Sequence, residues 1–319
     1  MMQYILGLDF GGTKLAAGIV NPQNGKIIQS LRRDTPEEKT AKKSYAAMTA
    51  LAKELLSGQK KSAIQAVGVC FDGPVEPDCR TPRFSMHVTG WEGFPLADKI
   101  EKELGLPTRI GHDADACALA EYRFGAGKGV KHMLYFTVST GIGGGVIIDG
   151  KLHRGEHAWA GEMGHMTLKP DGPLCPCGRR GCLEALASGP SVARAAKEQL
   201  KNPIPKPLPS NYVVSILKDI PRNQITARDV AEAVRKGDKL AAIVWNEAMR
   251  WIGIGVASAA NILNPGKVVL GGGLTHAGDI FFDPVRRAVK LRALDQTLEV
   301  VPAVFRENVG VVGAAALMI

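Results

Sequence analysis

The sequence predicts an α/β protein of two domains, and three observations carry that expectation. Strand-like apolar runs alternate with segments of helical periodicity. An apolar strand, a glycine-rich hairpin and a return strand occur once in each half, a weak internal repeat. A third glycine cluster follows a buried-type strand late in the chain. Two strand–helix domains, each offering a glycine hairpin to a common cleft, would generate this pattern.

In chain order, Ile5, Leu6 and Leu8 lead into Asp9-Phe10-Gly11-Gly12-Thr13-Lys14, and Leu15–Val20 leads out as the return strand. A polar turn at Asn21–Gly25 precedes a third strand near Lys26–Leu31. Residues 41–57 have helical spacing, and Ala66–Cys70 reads as a buried strand ended by Asp72-Gly73-Pro74. Residues 96–104 read as helix. Pro107–Ile110 reads as a short strand that delivers His112-Asp113-Ala114-Asp115 to a helix running through Glu121. The second half opens with the strand Met133–Val138, the turn Ser139–Gly145 and the strand Val146–Ile148. The Pro-rich run 203–209 predicts an exposed loop. Helices are expected at 227–236 and 238–261, then a buried strand, Lys267–Leu270, entering Gly271-Gly272-Gly273. Val309–Met318 is expected to be a helix packed on the first domain.

With 319 residues, 45% apolar and 22% charged, the chain has ordinary globular composition and length for two domains. No stretch approaches the roughly 20 apolar residues of a membrane helix, and the N-terminus lacks the features of a signal peptide. A cytoplasmic protein is expected. The formal charge of +9 is dispersed and not interleaved with aromatics, which argues against a nucleic-acid surface.

Paired glycines let backbone N–H groups approach phosphate oxygens. Gly11 and Gly12 could serve only a turn, but Thr13 and Lys14 add a hydroxyl and a cation, and Asp9 could hold magnesium. The second hairpin, with Thr140, Gly141 and Gly143, has more glycine than a turn requires. Gly272 and Gly273 could accept adenine and ribose at close contact. Of six cysteines, Cys70, Cys79 and Cys117 are scattered. Cys175, Cys177 and Cys182 are clustered, with His165 ten residues upstream. One imidazole and three thiolates make a closed structural zinc site; a redox pair is the rival reading, which fits the spacing less well.

The motifs Asp9-Phe10-Gly11-Gly12-Thr13-Lys14, Glu162-Met163-Gly164-His165 and Cys175-Pro176-Cys177-Gly178-Arg179-Arg180-Gly181-Cys182-Leu183-Glu184 together resemble the ROK family of repressors, open reading frames and kinases. The resemblance runs from Ile5 to about Gly313. It implies an actin-like ATPase (ribonuclease H-like) fold, with residues 1–116 plus 304–319 as the small domain and 117–303 as the large one. ATP and Mg2+ would sit in the cleft with a sugar deeper inside, in a homodimer. Asp113 matches the catalytic base. Glu162, His165 and Glu184 match residues that bind sugar hydroxyls, with His165 also ligating zinc.

Three positions depart from the family pattern. His112 stands in place of an Asn that contacts the sugar, Phe71-Asp72-Gly73-Pro74 replaces a Pro-Gly-Pro loop, and His87 stands where glucose-specific members often carry Asn. These leave phosphoryl transfer intact and bear on the identity of the sugar. The reaction expected is ATP-dependent phosphorylation of a hexose, glucose at its 6-hydroxyl first. Other sugars or cyclitols are alternatives, and a non-catalytic sugar sensor a lesser one, since the first hairpin begins at Ile5 with no winged-helix segment before it.

Overall fold

The computed structural model describes residues 3–58, 63–201 and 215–319. The Pro-rich run 203–209 therefore lies outside the described residues. The first half contains β1 (Tyr4–Phe10), β2 (Lys14–Val20), β3 (Ile27–Asp34), α1 (Ala41–Ser57), β4 (Ile64–Phe71), α2 (Leu96–Leu104), β5 (Thr108–His112) and α3 (Asp113–Phe124). β6 (Met133–Val138), β7 (Ile142–Ile148), β8 (Lys151–His153), α4 (Leu183–Ala187), α5 (Gly189–Gln199), α6 (Ala227–Arg235) and α7 (Lys239–Leu263) follow. β9 (Lys267–Gly271), α8 (Asp279–Lys290), β10 (Glu299–Pro302) and α9 (Val309–Ala316) complete the order. No described helix is long and apolar enough to cross a membrane.

The strands form two five-stranded sheets, β3-β2-β1-β4-β5 and β10-β9-β6-β7-β8. Numbered from the first strand of each half, both have the order 3-2-1-4-5. The repeat seen in the two glycine hairpins is thus a repeat of whole sheets. Contacts divide the chain into two compact units, one of residues 1–135, 145–161 and 303–319, the other of 136–144 and 162–302. α3 runs unbroken through residues 116 and 117, where the resemblance puts a domain boundary.

Local chemistry sets the helix ends. Thr226 and Asp229 form a reciprocal capping box at α6, and the Asp238 carboxylate accepts the Ala241 N–H at the start of α7. α7 ends where Asn264 turns left-handed.

In the first sheet, alternation decides what each face covers. Leu6, Leu8, Phe10, Val67, Val69 and Phe71 pack under α1 and α2 with Trp91 at the centre. On the opposite face, Ile5, Ala16 and Val20 meet Val311 and Ala315 of α9, the C-terminal helix expected there. That helix lies almost on the backbone of the sheet, for a Cβ added at Gly68 would stand 1.7 Å from the Ala314 carbonyl oxygen. Glu121 ties the C-terminal segment down, because its buried carboxylate accepts the N–H groups of Ala126, Val304 and Phe305 at 2.9, 3.1 and 2.7 Å.

Gly68→Ala should therefore cost about 1–3 kcal/mol or more through overpacking. It should lower the urea midpoint, while Gly58→Ala, with no neighbouring atom within 4 Å, should leave it in place. Equal midpoints for the two variants would show that α9 can back away freely.

Candidate active site

The first hairpin is built tightly. Gly11 N–H donates to the Lys14 carbonyl at 3.1 Å. The Thr35 hydroxyl donates to the Gly11 carbonyl at 2.8 Å, and Thr35 N–H to the Thr13 carbonyl at 3.0 Å. Gly11 and Gly12 are half-buried, while Thr13 and Lys14 are exposed at the tip. A Cβ at Gly12 would fall 2.5 Å from the Cβ of His87, so only glycine lets His87 lie against the hairpin.

Parallel pairing gathers three carboxylates beside it. β1, β4 and β5 run parallel with Phe10 opposite Phe71 and Phe71 opposite His112. Asp9, Asp72 and Asp113, each within one position of those residues, therefore reach one edge of the sheet, the carboxyl edge where open α/β sheets bind ligands. Asp72 N–H donates to the Phe10 carbonyl at 3.1 Å, which extends the ladder to the loop. Gly73 follows at φ +145°, with the Phe84 carbonyl oxygen 2.2 Å from where a Cβ would be, so no other residue fits there.

The electrostatics of this edge are crowded. Burial, opposed by a hydrogen bond from the Cys70 thiol, raises Asp9 to about 7, and the Asp113 and Asp72 carboxylates push it the same way. Asp72 is raised by burial and by Asp113, against His87 and His112. Burial also pushes Asp113 up, but the His112 charge and hydrogen bond, the Ala114 amide and His87 outweigh it and leave Asp113 below its ordinary value. His112 Nε2 lies 3.0 Å from Asp113 Oδ1, and Ala114 N–H donates to the same oxygen at 2.6 Å. An excess of hard oxygen donors that raise one another fits a divalent cation such as Mg2+.

The second hairpin has its own frame. Ser139 N–H donates to the Gly141 carbonyl at 2.9 Å, and Ile142 N–H donates to Glu184 Oε2 at 2.9 Å. A Cβ at Gly141 would stand 2.6 Å from that same oxygen. Thr140 is exposed and Gly143 half-buried. Gly272, at φ +89°, leaves only 2.5 Å between a would-be Cβ and the Val138 backbone, and Gly273 lies beside the Ser139 hydroxyl. The third glycine cluster thus adjoins the second hairpin.

His165, Cys175, Cys177 and Cys182 place their ligand atoms within 4.8 Å of one another. Cys177 Sγ to Cys182 Sγ is 3.7 Å, and Cys175 Sγ to His165 Nδ1 is 3.7 Å. Tetrahedral zinc with Zn–S of ~2.3 Å requires edges of about 3.8 Å. The donor set fits that ion. Burial pushes the Cys175 thiol up to about 12, so a cation is what would hold it as thiolate. With Nδ1 turned to the cysteines, His165 Nε2 faces Glu162 Oε2 at 3.8 Å, and Glu184 Oε1 lies 3.7 Å from Cys175 Sγ.

The residues singled out in the sequence thus fall into two groups. Asp9, Gly11, Gly12, Gly73, His87, His112 and Asp113 gather in the first unit, with Thr13 and Lys14 at the hairpin tip. The second unit holds Thr140, Gly141, Gly143, Glu162, His165, Glu184, Gly272, Gly273 and the three clustered cysteines. Asp72 carries no expected role of its own in the sequence, yet it reaches the same edge of the sheet. The signal available was a carboxylate at the end of a buried strand, the same signal that marked Asp9.

Comparison with known proteins agrees over the whole length. The chain is 35% identical over 320 residues to the glucokinase of Streptomyces coelicolor, covering 99% of this chain and 98% of that one. It is 40% identical over 195 residues to the N-acetylmannosamine kinase of Salmonella arizonae, covering 61% of this chain and 65% of that kinase. Among solved structures it matches a ROK family glucokinase from Streptomyces griseus in complex with glucose and AMPPNP, with TM-score 0.80, 35% identity and 98% of both chains covered. The expected α/β, actin-like ATPase fold is the fold of these structural neighbours. The ROK family pattern matches residues 5–319, and the chain belongs to the ROK family.

Proposed function

We propose that this protein is an ATP-dependent sugar kinase that phosphorylates glucose at its 6-hydroxyl. The observation that carries the proposal is the sheet edge where the glycine hairpin, Asp9 and an ionised Asp113 come together, in a chain that resembles glucokinases from end to end. Asp113 accepts the proton of the attacking hydroxyl. Gly11, Gly12, Thr13 and Lys14 hold phosphates, and Thr140, Gly141 and Gly143 do the same from the second hairpin. Asp9 would hold Mg2+, which would offset the charge of the phosphates. Gly272 and Gly273 receive the adenosine. Glu162, His165 and Glu184 bind sugar hydroxyls, His165, Cys175, Cys177 and Cys182 would hold a zinc ion that fixes the orientation of the His165 ring, and Gly73 and His112 complete the surroundings of the sugar.

The functional division we infer is 1–116 with 304–319, and 117–303, which assigns 117–135, 145–161 and residue 303 differently from the compact units. A cytoplasmic homodimer belongs to the same reading. An ADP-release screen with ATP against hexoses, amino sugars and cyclitols tests it, and no acceptor-dependent release from any of them would overturn it.

One position tests which sugar is preferred. His112, in place of the common Asn, directs Nε2 at the Asp113 carboxylate. His112→Asn should change the ratio of kcat/KM between glucose and N-acetylmannosamine by about tenfold or more, the size of one polar contact to a substrate hydroxyl. ATP affinity should stay constant. An unchanged ratio would show that His112 serves Asp113 alone.

A further inference from the structure

We infer that His87, held by Asp72, binds the transferring phosphoryl group of the nucleotide rather than the sugar. The inference rests on the kinase reading above and adds a residue pair to it. The resemblance, through the Asn common at this position, would put residue 87 beside the sugar, but the geometry points elsewhere.

Four observations build the pair. His87 Nδ1 is 2.7 Å from Asp72 Oδ2. The ring lies against the first hairpin, its Cβ, Cγ and Nδ1 within 2.5, 2.6 and 3.0 Å of the place a Cβ on Gly12 would take. The Ser85 hydroxyl accepts the N–H groups of both His87 and Val88, at 3.1 and 3.2 Å, which fixes the backbone that carries the ring. Finally, the Asp72 side chain is 25% exposed and that of His87 53%, so the carboxylate is sheltered and the imidazole can be reached by a ligand.

Nδ1 pairs with Asp72, and Nε2 has no hydrogen-bond partner among the described residues. A phosphoryl oxygen seated on the Gly12 hairpin would complete an arrangement in which the His87 ring lies between the Asp72 carboxylate and the phosphate. The other ionisable groups facing this pair are Asp113 and His112, which act on Asp72, and Asp9, which shares the crowded edge. During transfer, the bond from the sugar oxygen to phosphorus forms as the bond from phosphorus to the ADP oxygen breaks, and Asp113 takes the hydroxyl proton. His87 neither gains nor loses a proton; it stays beside the equatorial oxygens while charge redistributes. His87 touches the substrate; Asp72 is a positioning residue that keeps the ring over Gly12.

The test compares His87→Gln and Asp72→Asn with the parent protein in two measurements. Calorimetry gives the dissociation constants of ADP and of a non-hydrolysable ATP analogue, both with Mg2+, and steady-state kinetics gives kcat and the sugar KM. For His87→Gln, the analogue should bind about tenfold more weakly with ADP within about twofold, and kcat should fall about tenfold or more with the sugar KM little changed. Asp72→Asn should move the same quantities in the same direction by less. A raised sugar KM with the analogue-to-ADP difference intact would make His87 a sugar ligand and overturn the inference. Unchanged values in both measurements would overturn it equally. If the parent protein releases no ADP with any sugar, the kinase reading fails on its own, and the binding comparison still decides what His87 touches.

Discussion

Asp113→Asn is expected to lower sugar-dependent ADP release by about two orders of magnitude or more, with the fold unchanged. The amide is the same size as the carboxylate, and its oxygen can still accept the Ala114 N–H that now meets Oδ1 at 2.6 Å. What it loses is the ability to take a proton. The side chain is half-exposed, and the desolvation that pushes its carboxyl up is outweighed chiefly by His112, 3.0 Å away, with the Ala114 amide and His87. The pH dependence follows in sign. A carboxyl held below its usual range is ionised throughout neutral pH, so the base is lost only as the pH falls into the acid range, and the Asn variant should lack that acid limb. The measurements are kcat, the thermal midpoint and binding of the non-hydrolysable ATP analogue. Near-normal turnover in a folded variant would move the base elsewhere, with Asp72 and Asp9 on the same edge as the candidates.

The elements that decide this site were legible where the signal is local. Glycine hairpins, strand ends carrying an Asp, and helix periodicity all lie within short windows, and so does a C-x-C followed closely by another cysteine. Contacts that join distant windows were not. The Asp72–His87 pair spans fifteen positions and depends on the turn made by Ser85. The bond from Ile142 N–H to Glu184 spans forty-two positions and ties the second hairpin to a residue two places after the last clustered cysteine, which no spacing rule anticipates. Periodicity also carries no information on which strand pairs with which. The hairpin repeat was visible, but the shared 3-2-1-4-5 order depends on β9 pairing with β6, and β10 with β9, after a long run of helices. The boundary expected at residue 116 falls inside α3 for a related reason, since compactness is a property of contacts and not of sequence windows.

The purified protein is expected to contain about one zinc per chain, and Cys177→Ala to lose that zinc together with sugar affinity. Cys177 is the informative ligand to remove because it is exposed, whereas Cys175 and Cys182 are buried and their loss would also leave cavities. Short backbone bonds shape the loop before any metal arrives, with Cys175 N–H donating to the Arg179 carbonyl at 2.7 Å and Gly178 N–H to the Cys175 carbonyl at 2.9 Å. The Cys177 variant should therefore keep most of the loop and lose its centre. His165 would then be free to turn, and the Nε2 that faces Glu162 would no longer be fixed for a sugar hydroxyl. Sugar KM should rise about 10–100-fold, the usual consequence of losing a partner that orients a ligating imidazole. ADP affinity should change far less, because neither glycine hairpin contributes a zinc ligand. The redox reading makes a different prediction. A Cys177–Cys182 disulfide would need its sulfurs at about 2.05 Å rather than the 3.7 Å between them here, and it would leave the protein zinc-free with a thiol count that depends on reductant. Elemental analysis and thiol titration on the same sample separate the two, and a zinc-free protein of undiminished sugar affinity would rule out the metal centre.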